Sequence, residues 1–385
     1  MSIEQWIIVG VGFAFAFYSA VTVFLVVGLG RIPPHTNAEI PFVSVIVAAR
    51  NEEENMPHLL NALLGQSYRS YEIIIVDDGS ADRTHSIAEK YTAEHQKLRV
   101  ISADRSVSQR ARKKAALITG ILASKGEILC FTDADCIPGQ DWVSEMIKGF
   151  TQNVGLVAGY SPYDRTLLPV DTQQSGFLAS LLHDFVRYEE MKGAIWSAGS
   201  IGLGKAWLCT GRNLAYRRKV WNEVDGFSRI MKSISGDDDL FLQQVRRTTD
   251  WSISFVRDPK SFVPTTPPAS LRGFLEQRKR HFSAGKYFTL PMKLFFLLFH
   301  GSNLFLLLGL LAGPIFPATM ILAIAFFVGK VVIDLVLVMK GGAMFSEDHA
   351  WTQVVHMELL CLLYNTLVGP LGFITGFEWK SDLKS

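Results

Sequence analysis

The chain has 385 residues, of which 49% are hydrophobic and 19% charged, so it exceeds one ordinary domain and is poorer in charge than most soluble proteins. Its formal net charge is only +2, and no basic face is interleaved with aromatic residues, which argues against a nucleic-acid partner. The four cysteines show neither CxxC pairing nor a disulfide-type spacing, as expected of reduced thiols facing a cytosol.

The first element is an apolar run at 7–29, long enough to cross a bilayer core of about 30 Å. It lacks the short hydrophobic core and the small-residue cleavage site of a secretory signal, so it predicts a retained anchor within segment 1–31. Arg31 follows this run and Lys293 precedes the next one, which places the part between them on the cytoplasmic side of a cell membrane.

Between 40 and 265, short apolar runs alternate with stretches of helical spacing. Repeated βα wiring of this kind predicts an α/β fold, with a mainly parallel sheet covered by helices on both faces. The predicted strands are 42–48, 71–76, 98–101 and 127–131, and the predicted helices are 53–64, 82–94, 108–123, 177–190 and 236–247.

A proline-rich break at 264–268 marks the predicted boundary with the membrane part. A basic segment at 266–290 follows, and then a C-terminal apolar region at 291–378, so a multi-pass membrane protein is expected.

Three apolar runs lie in that region, at 294–312, 318–339 and 354–376. Three spans would put Lys380 and Lys384 outside, so the last run is the candidate for a re-entrant segment. Lys330 and Asp334 fall four residues apart in the middle run, where we expect a structural pair.

The fourth predicted strand ends in two carboxylates, Asp133 and Asp135, one residue apart. Ligands of open α/β sheets bind beyond the carboxyl ends of the strands, so these side chains lie where a substrate is expected. A divalent cation held by carboxylate oxygens can bridge both phosphates of a nucleotide and neutralise their charge as they leave. The pair predicts a metal and diphosphate site; two exposed carboxylates in a loop are the alternative.

Asp78 has the equivalent place after the second strand, in the sequence Asp-Asp-Gly-Ser. Its carboxylate can accept hydrogen bonds from the uracil or ribose of a nucleotide. Turn chemistry is the preferred interpretation for Asp77 and Gly79. Arg50 and Glu52 leave the first strand at the same edge.

Three consecutive carboxylates follow Gly236, at Asp237, Asp238 and Asp239. Crowded carboxylates raise one another's pKa, which suits a general base working near neutrality. A base of this kind can take the proton of an acceptor hydroxyl as its oxygen attacks. Helix capping is the alternative for all three, and it is the preferred role for Asp239.

Gln277 and Arg280 lie on a basic stretch that runs from 272 to 286. Arg280 can pair with a diphosphate through two hydrogen bonds. The alternative is a juxtamembrane helix attracted to anionic membrane lipids, at about 1 kcal/mol per charge. Both roles can hold on different faces of one helix.

Residues 199–206 nearly spell a phosphate-binding loop, Gly-Ser-Ile-Gly-Leu-Gly-Lys-Ala. Position 206 lacks the Ser or Thr that would ligate magnesium, and no clear strand precedes the segment. It is therefore interpreted as a flexible loop on the acceptor side.

Taken in order, these motifs resemble those of family 2 glycosyltransferases with the GT-A fold, over roughly 41–285. The order and spacing of several motifs are more specific than any one of them. They are Val43-Ser-Val-Ile-Val-Ala-Ala-Arg-Asn-Glu-Glu, Ile75-Val-Asp-Asp-Gly-Ser, Phe131-Thr-Asp-Ala-Asp-Cys, Thr210-Gly-Arg-Asn-Leu-Ala-Tyr-Arg-Arg, Gly236-Asp-Asp-Asp-Leu and Gln277-Arg-Lys-Arg-His.

The resemblance implies an inverting enzyme that uses cytosolic nucleotide sugars with a divalent metal, Mg²⁺ or Mn²⁺. It places the base at Asp238, with Asp237 orienting it. It places metal coordination at Asp135, and the ribose or a metal-bound water at Asp133. The remaining assignments are the nucleotide for Arg50, Glu52, Asp78 and Asp133, and the acceptor or diphosphate for Gln277 and Arg280. His281 stands where many relatives carry tryptophan.

We therefore expect a membrane-bound glycosyltransferase that moves a sugar from a nucleotide donor, with UDP preferred, to a hydroxyl acceptor. A lipid or lipid-linked glycan acceptor is favoured by the basic, membrane-adjacent approach to the site. A processive polysaccharide synthase is the alternative among enzymes, although such enzymes usually need more than four spans. A catalytically silent scaffold is the alternative of another class, and the presence of Asp78, Asp133, Asp135 and Asp238 together argues against it.

Overall fold

The computed structural model describes residues 2–34, 36, 39–108, 110–168, 176–347 and 351–370. The end of the predicted run at 354–376, together with Lys380 and Lys384, lies outside these residues.

Seven strands of the described chain form one sheet in the order β3-β2-β1-β4-β6-β5-β7. The pairs β1–β2, β2–β3, β1–β4 and β5–β7 are parallel, whereas β6 runs antiparallel to both β4 and β5. The strands are β1 Val43–Ala49, β2 Tyr71–Asp77, β3 Leu98–Ser102, β4 Ile128–Phe131, β5 Val154–Gly159, β6 Leu214–Arg217 and β7 Ser252–Val256.

Twelve α-helices occur in the described ranges. They are α1 Ile3–Leu29, α2 Met56–Leu64, α3 Thr84–Thr92, α4 Arg112–Ala123, α5 Trp142–Lys148, α6 Phe177–Gly202, α7 Arg218–Glu223, α8 Asp239–Thr248, α9 Leu271–Ser283, α10 Leu290–Ala312, α11 Pro317–Phe345 and α12 Trp351–Leu367.

The sheet is buried on both faces, because side chains of successive β1 residues point to opposite sides. Val45 packs in one hydrophobic core with Leu60 of α2, and Ile46 packs in the other with Leu117 of α4. The predicted mainly parallel sheet with helices on both faces is therefore confirmed. The sequence pattern did not reveal that β6 reverses direction after the long excursion through α6.

The candidate site lies at one edge of this sheet. Parallel β1, β2 and β4 end at the same edge, and the backbone N–H of Asp78 donates to the carbonyl of Ala49 at 2.8 Å. Antiparallel β6 begins there, since Leu214 pairs with Phe131. The chain just before β6 thus lies beside the chain just after β4.

Three described helices are long and apolar enough to cross a membrane: α1 with 27 residues, α10 with 23 and α11 with 29. They correspond to three of the four predicted runs. The fourth overlaps α12, which has 17 residues and a fully buried Glu358. The helices and the sheet share a core, in which Phe345 of α11 packs on Tyr160 with ring centroids 4.6 Å apart.

Helix α6 begins where predicted but continues to Gly202 and packs against α1. A Cβ atom on Gly28 of α1 would overlap the carbonyl of Gly199, so the two backbones touch. The prediction of a flexible loop at 199–206 is therefore wrong for its first four residues, which form the buried or half-buried end of α6.

Candidate active site

The two acidic motifs face each other across one ammonium group. Nζ of Lys113 lies 2.9 Å from Oδ1 of Asp133 and 3.2 Å from Oδ2 of Asp237. Burial lowers the pKa of Lys113, but the carboxylates of Asp133, Asp237 and Asp238 outweigh burial and raise it above its ordinary value. Lys113 is therefore charged at neutral pH and joins the strand-end motif to the motif before α8.

Asp238 differs electrostatically from its neighbour. Burial, and then the Asp237 carboxylate, raise the pKa of Asp238 above the ordinary range. Burial also acts on Asp237, but Lys113 and Lys114 hold the pKa of that carboxyl below its usual value. The arrangement pairs an ionised Asp237 with an Asp238 whose proton affinity suits a general base.

Asp238 is also a capping residue. Its Oδ1 accepts a hydrogen bond from the backbone N–H of Asp239 at 2.7 Å, and its Oδ2 accepts one from Gly211 at 3.0 Å. The prediction that Asp239 caps α8 is wrong: Asp239 is the first helical residue, and its Oδ1 accepts from the N–H of Cys209 at 2.8 Å. A capping role and a base role are compatible, since only one lone pair is needed for each.

The other strand-end carboxylate, Asp78, is nearly buried under an arginine. Nε of Arg112 lies 3.1 Å from Oδ2 of Asp78, and Nη2 of Arg112 donates to the Asp78 carbonyl at 2.9 Å. Asp77 instead accepts from the N–H of Ser80 at 3.2 Å, and Gly79 has φ +65°, as expected of a turn. Asp78 thus contacts the start of α4 through Arg112, whereas Asp77 stabilises the turn.

Arg50 and Glu52 lie at the end of β1 beside this turn. The backbone N–H of Glu52 donates to Oγ1 of Thr84 at 2.7 Å, and Nδ2 of Asn55 donates to Oε2 of Glu52 at 2.6 Å. The buried Nε of Arg50 has no hydrogen-bond partner among the described residues.

Asp135 and Gln277 are connected through the chain at Thr265. Oγ1 of Thr265 donates to the Asp135 carbonyl at 3.3 Å, and Thr265 forms a β-bridge with Tyr163. The Tyr163 hydroxyl donates to Oε1 of Gln277 at 3.0 Å. Gln277 therefore lies on the Asp135 side of the site.

Arg278 anchors helix α9 to α6. The sequence motifs indicated roles for Gln277 and Arg280 on this helix but none for Arg278. Arg278 pairs with Glu189 and, through Nη2 at 3.2 Å, with Oε2 of Glu190 on α6. Arg280 lies two residues further along α9 and is half-buried, and His281 is exposed. The buried anchor and the predicted phosphate ligand are thus different arginines.

The carboxylates fit a cation that arrives with a nucleotide. Among the described residues, no group of three or more His, Cys, Asp or Glu is arranged to hold a metal ion. Asp133 and Asp135 provide hard oxygen donors, and Mg²⁺ typically takes one or two protein carboxylates together with substrate phosphates. The donor set is therefore suitable for a metal–diphosphate complex rather than for a resident metal cage.

Sequence reasoning missed the three cations at the start of α4, which are Arg112, Lys113 and Lys114. A signal was present, because no acidic residue lies in the first turn of α4. Basic residues at a helix N-terminus are opposed by the helix dipole. Three of them together therefore indicate anionic or carbonyl partners elsewhere in the fold.

Comparisons with known proteins concern the sequence family and the fold. A family model described as Glycosyl transferase family 2 matches residues 44–224. Glycosyltransferase AglE of Haloferax volcanii is 31% identical over 64% of this chain and 73% of its own length. Mannosyltransferase PcManGT from Pyrobaculum calidifontis, solved with GDP-Man and Mn²⁺, has TM-score 0.57 at 18% identity and covers 95% of this chain and 99% of its own. The latter likeness concerns the fold.

Two further relatives match shorter parts of the chain. The beta-monoglucosyldiacylglycerol synthase of Nostoc sp. is 35% identical over 32% of this chain and 28% of its own. The dolichyl-phosphate beta-glucosyltransferase of Drosophila melanogaster is 34% identical over 27% of this chain and 37% of its own. The chain therefore spans well under half the length of these two relatives.

Proposed function

The chain belongs to glycosyltransferase family 2 and has a GT-A-like sheet, and from this premise we propose that it is a membrane-bound inverting transferase acting on a lipid or lipid-linked hydroxyl acceptor. The donor is a nucleotide sugar, with UDP as the preferred nucleotide. The observation that supports the proposal most is the contact of Lys113 with both Asp133 and Asp237, because it brings the two acidic motifs together.

On the donor side, the proposal assigns the nucleoside to Asp78, with Arg50 and Glu52 beside it. The cations of Arg112 and Lys113 are suited to the diphosphate, since charge-assisted hydrogen bonds to phosphate are strong. A divalent cation, Mg²⁺ or Mn²⁺, held by Asp135 and Asp133 would neutralise charge on the departing diphosphate.

On the acceptor side, Asp238 takes the proton of the attacking hydroxyl. Burial, and then the negative charge of Asp237, raise the pKa of Asp238. The raised pKa of Asp238 supports this role, because a base is most effective when its pKa approaches the working pH. Gln277 and Arg280 are assigned to the acceptor or to the product diphosphate.

The closeness of α9 to the apolar helices in the chain supports a lipid acceptor. Helix α9 is followed directly by a 3₁₀ turn at Ala284–Tyr287 and then by the apolar helix α10. Two of the relatives are named for acceptors that are lipids, diacylglycerol and dolichyl phosphate. Arg31 and Lys293 support a catalytic domain on the cytoplasmic side of the cell membrane.

The test is donor turnover by the purified, detergent-solubilised protein. UDP and GDP sugars are offered with Mn²⁺ or Mg²⁺ and a membrane-lipid extract, and nucleotide release and labelled lipid are measured. We expect one donor class to be consumed, a product of inverted anomeric configuration, and loss of turnover with EDTA or with Asp135→Asn.

The matched control is Asp250→Asn, which alters an exposed aspartate outside the cleft and should leave turnover unchanged. If the wild type turns over no donor with any of these acceptors, the catalytic proposal is wrong and the silent-scaffold alternative takes its place. Repeated addition of sugar to one acceptor would instead favour the processive synthase.

A further inference from the structure

A second lysine of α4 is buried behind the cleft. Lys114 has no exposed surface. Its Nζ donates to three backbone carbonyls, those of Ile230 at 3.0 Å, Ser233 at 2.6 Å and Ser235 at 2.7 Å. An ammonium group has three N–H donors, so all of them are used.

These carbonyls belong to the segment that leads into the proposed base. Residues 230–235 begin at the last residue of a short 3₁₀ helix, Ser228–Ile230, and end directly before Gly236, which has φ +84°. Ser235 is only three residues from Asp238. Residues 231–235 lie in no helix or strand, so their position depends largely on contacts with other parts of the fold.

A second contact holds the same segment from the membrane side. The hydroxyl of Tyr287, in the turn that leads to α10, donates to the carbonyl of Lys232 at 3.0 Å. A Cβ atom on Gly236 would be 3.4 Å from Cβ of Ala284 in the same turn. The segment therefore lies between α4 of the sheet domain and the approach to the membrane.

We propose that Lys114 is a positioning residue for sugar transfer: its ammonium group holds segment 230–235 so that Asp237 and Asp238 face Lys113 and Asp133. The inference rests on the proposed function, since it gives Lys114 a role in that same reaction. A fully buried ammonium without a carboxylate partner is costly, so an aliphatic residue would be expected here if packing were the only requirement.

The charge of Lys114 also acts on the carboxylates. Lys114 helps to hold the pKa of Asp237 low, and the titratable groups that act on Lys114 are Asp237, Asp238 and Lys113. Burial lowers the pKa of Lys114 itself to about 8. Loss of this cation should raise the proton affinity of both carboxylates, which moves the acidic limb of the rate profile to higher pH.

The experiment compares wild type, Lys114→Met and the exposed-lysine control Lys125→Met in the full-length protein. Methionine keeps most of the volume but removes the charge and the three donors. For Lys114→Met we expect kcat to fall by about 100-fold, the effect of misplacing a catalytic group by about 1 Å, with little change in donor KM. The acidic limb should move to higher pH, and Lys125→Met should match the wild type.

Tyr287→Phe provides a second variant that does not disturb the interior, because Tyr287 is half exposed. It removes only the hydrogen bond from the Tyr287 hydroxyl to the Lys232 carbonyl. We expect kcat to fall several-fold while donor KM stays unchanged. Hydrogen exchange of the 230–238 amides should be faster in both variants, and this readout requires no turnover.

The outcomes separate the two proposals. An inactive wild type contradicts the proposed function, whereas an active wild type with normal kcat in both variants overturns the role of Lys114. A lower kcat in Lys114→Met with no movement of the acidic limb, or with an equal loss of donor binding, also overturns it, because that pattern indicates general destabilisation.

Discussion

Lysines and aspartates meet in two regions of this molecule, in the proposed catalytic cleft and inside the helix bundle. In the cleft, Lys113 contacts Asp133 and Asp237, and the side chains of Lys113 and Asp133 are 29% and 30% exposed. In the bundle, Nζ of Lys330 lies 2.7 Å from Asp334 and 2.5 Å from Glu358, and the three side chains are 2%, 0% and 0% exposed.

The bundle cluster, made of Lys192, Lys330, Asp334 and Glu358, has no net charge. Lys192 of α6 also contacts Glu358, at 2.6 Å, so two cations meet two carboxylates. The hydroxyls of Tyr18 and Tyr188 donate to Asp334 and Glu358 at 2.7 and 2.5 Å, which adds α1 to the joined helices. A neutral cluster of this kind can hold helices together but offers little to a ligand.

The cleft has an excess of carboxylates around Lys113. Lys113 and Asp133 are partly exposed, although Asp237 is only 11% exposed, so an incoming diphosphate can compete for this cation more readily than for Lys330. Both regions contain the same residue types. The comparison teaches that the balance of positive and negative charges, together with side-chain exposure, distinguishes a structural ion cluster from a candidate site.

The largest expected effect is on the cleft. Asp238→Asn should lower kcat by about 10²- to 10⁴-fold, the range for loss of a general base. Asparagine caps helices as well as aspartate, so its one oxygen can keep the hydrogen bond from Asp239, while the bond from Gly211 is lost. The measurements are lipid-product formation and the thermal unfolding temperature in detergent; a loss of activity that merely follows a loss of stability would contradict the base role.

The pH dependence sharpens the same assignment. A base must be ionised, so the transfer rate should be constant above the raised pKa of Asp238 and fall about tenfold per pH unit below it. Asp237→Asn removes the carboxylate that helps to raise this pKa, so the acidic limb should move to lower pH. A rate that is independent of pH down to the ordinary range of aspartate would be incompatible with the assignment.

Substitutions in the bundle cluster should lower the stability of the protein and leave its catalytic reaction unchanged. Glu358→Gln leaves two buried cations facing one carboxylate, and breaking a buried pair in this way costs about 3 to 5 kcal/mol. The unfolding temperature in detergent should fall, while donor KM of the folded protein stays unchanged. The double variant Lys330→Met with Glu358→Gln restores the charge balance and should recover part of the loss; equal destabilisation by both would argue against a charge-balance effect.

The smallest expected effect is on donor affinity. Lys113→Met removes one charge-assisted hydrogen bond to a diphosphate, and donor KM should rise about tenfold. The control is Lys125→Met, an exposed lysine beyond the end of the same helix. Unchanged donor KM in Lys113→Met would mean that this ammonium only neutralises Asp133 and Asp237.

Much of the architecture was predictable because it depends on local patterns. Buried strands produce continuous apolar runs, and the predicted strand at 71–76 differs from β2 by one residue. Turns also follow local chemistry, as at Asp77, whereas the predicted cap at Asp239 was wrong by one residue. The reversal of β6 was not predictable, because a four-residue apolar strand has the same pattern in either direction.

The sequence by itself determined the family, the βα wiring, the apolar helices and the carboxylates at strand ends, since each depends on neighbouring residues or on motif order. Only the tertiary structure decided that Lys113 joins Asp133 to Asp237, that Lys114 reaches segment 230–235, and that Glu358 and Lys192 complete the expected Lys330–Asp334 pair. The physical reason is that a charged side chain has no periodic pattern to mark its partner. Its partner is set by which distant segments the buried core brings within hydrogen-bond distance.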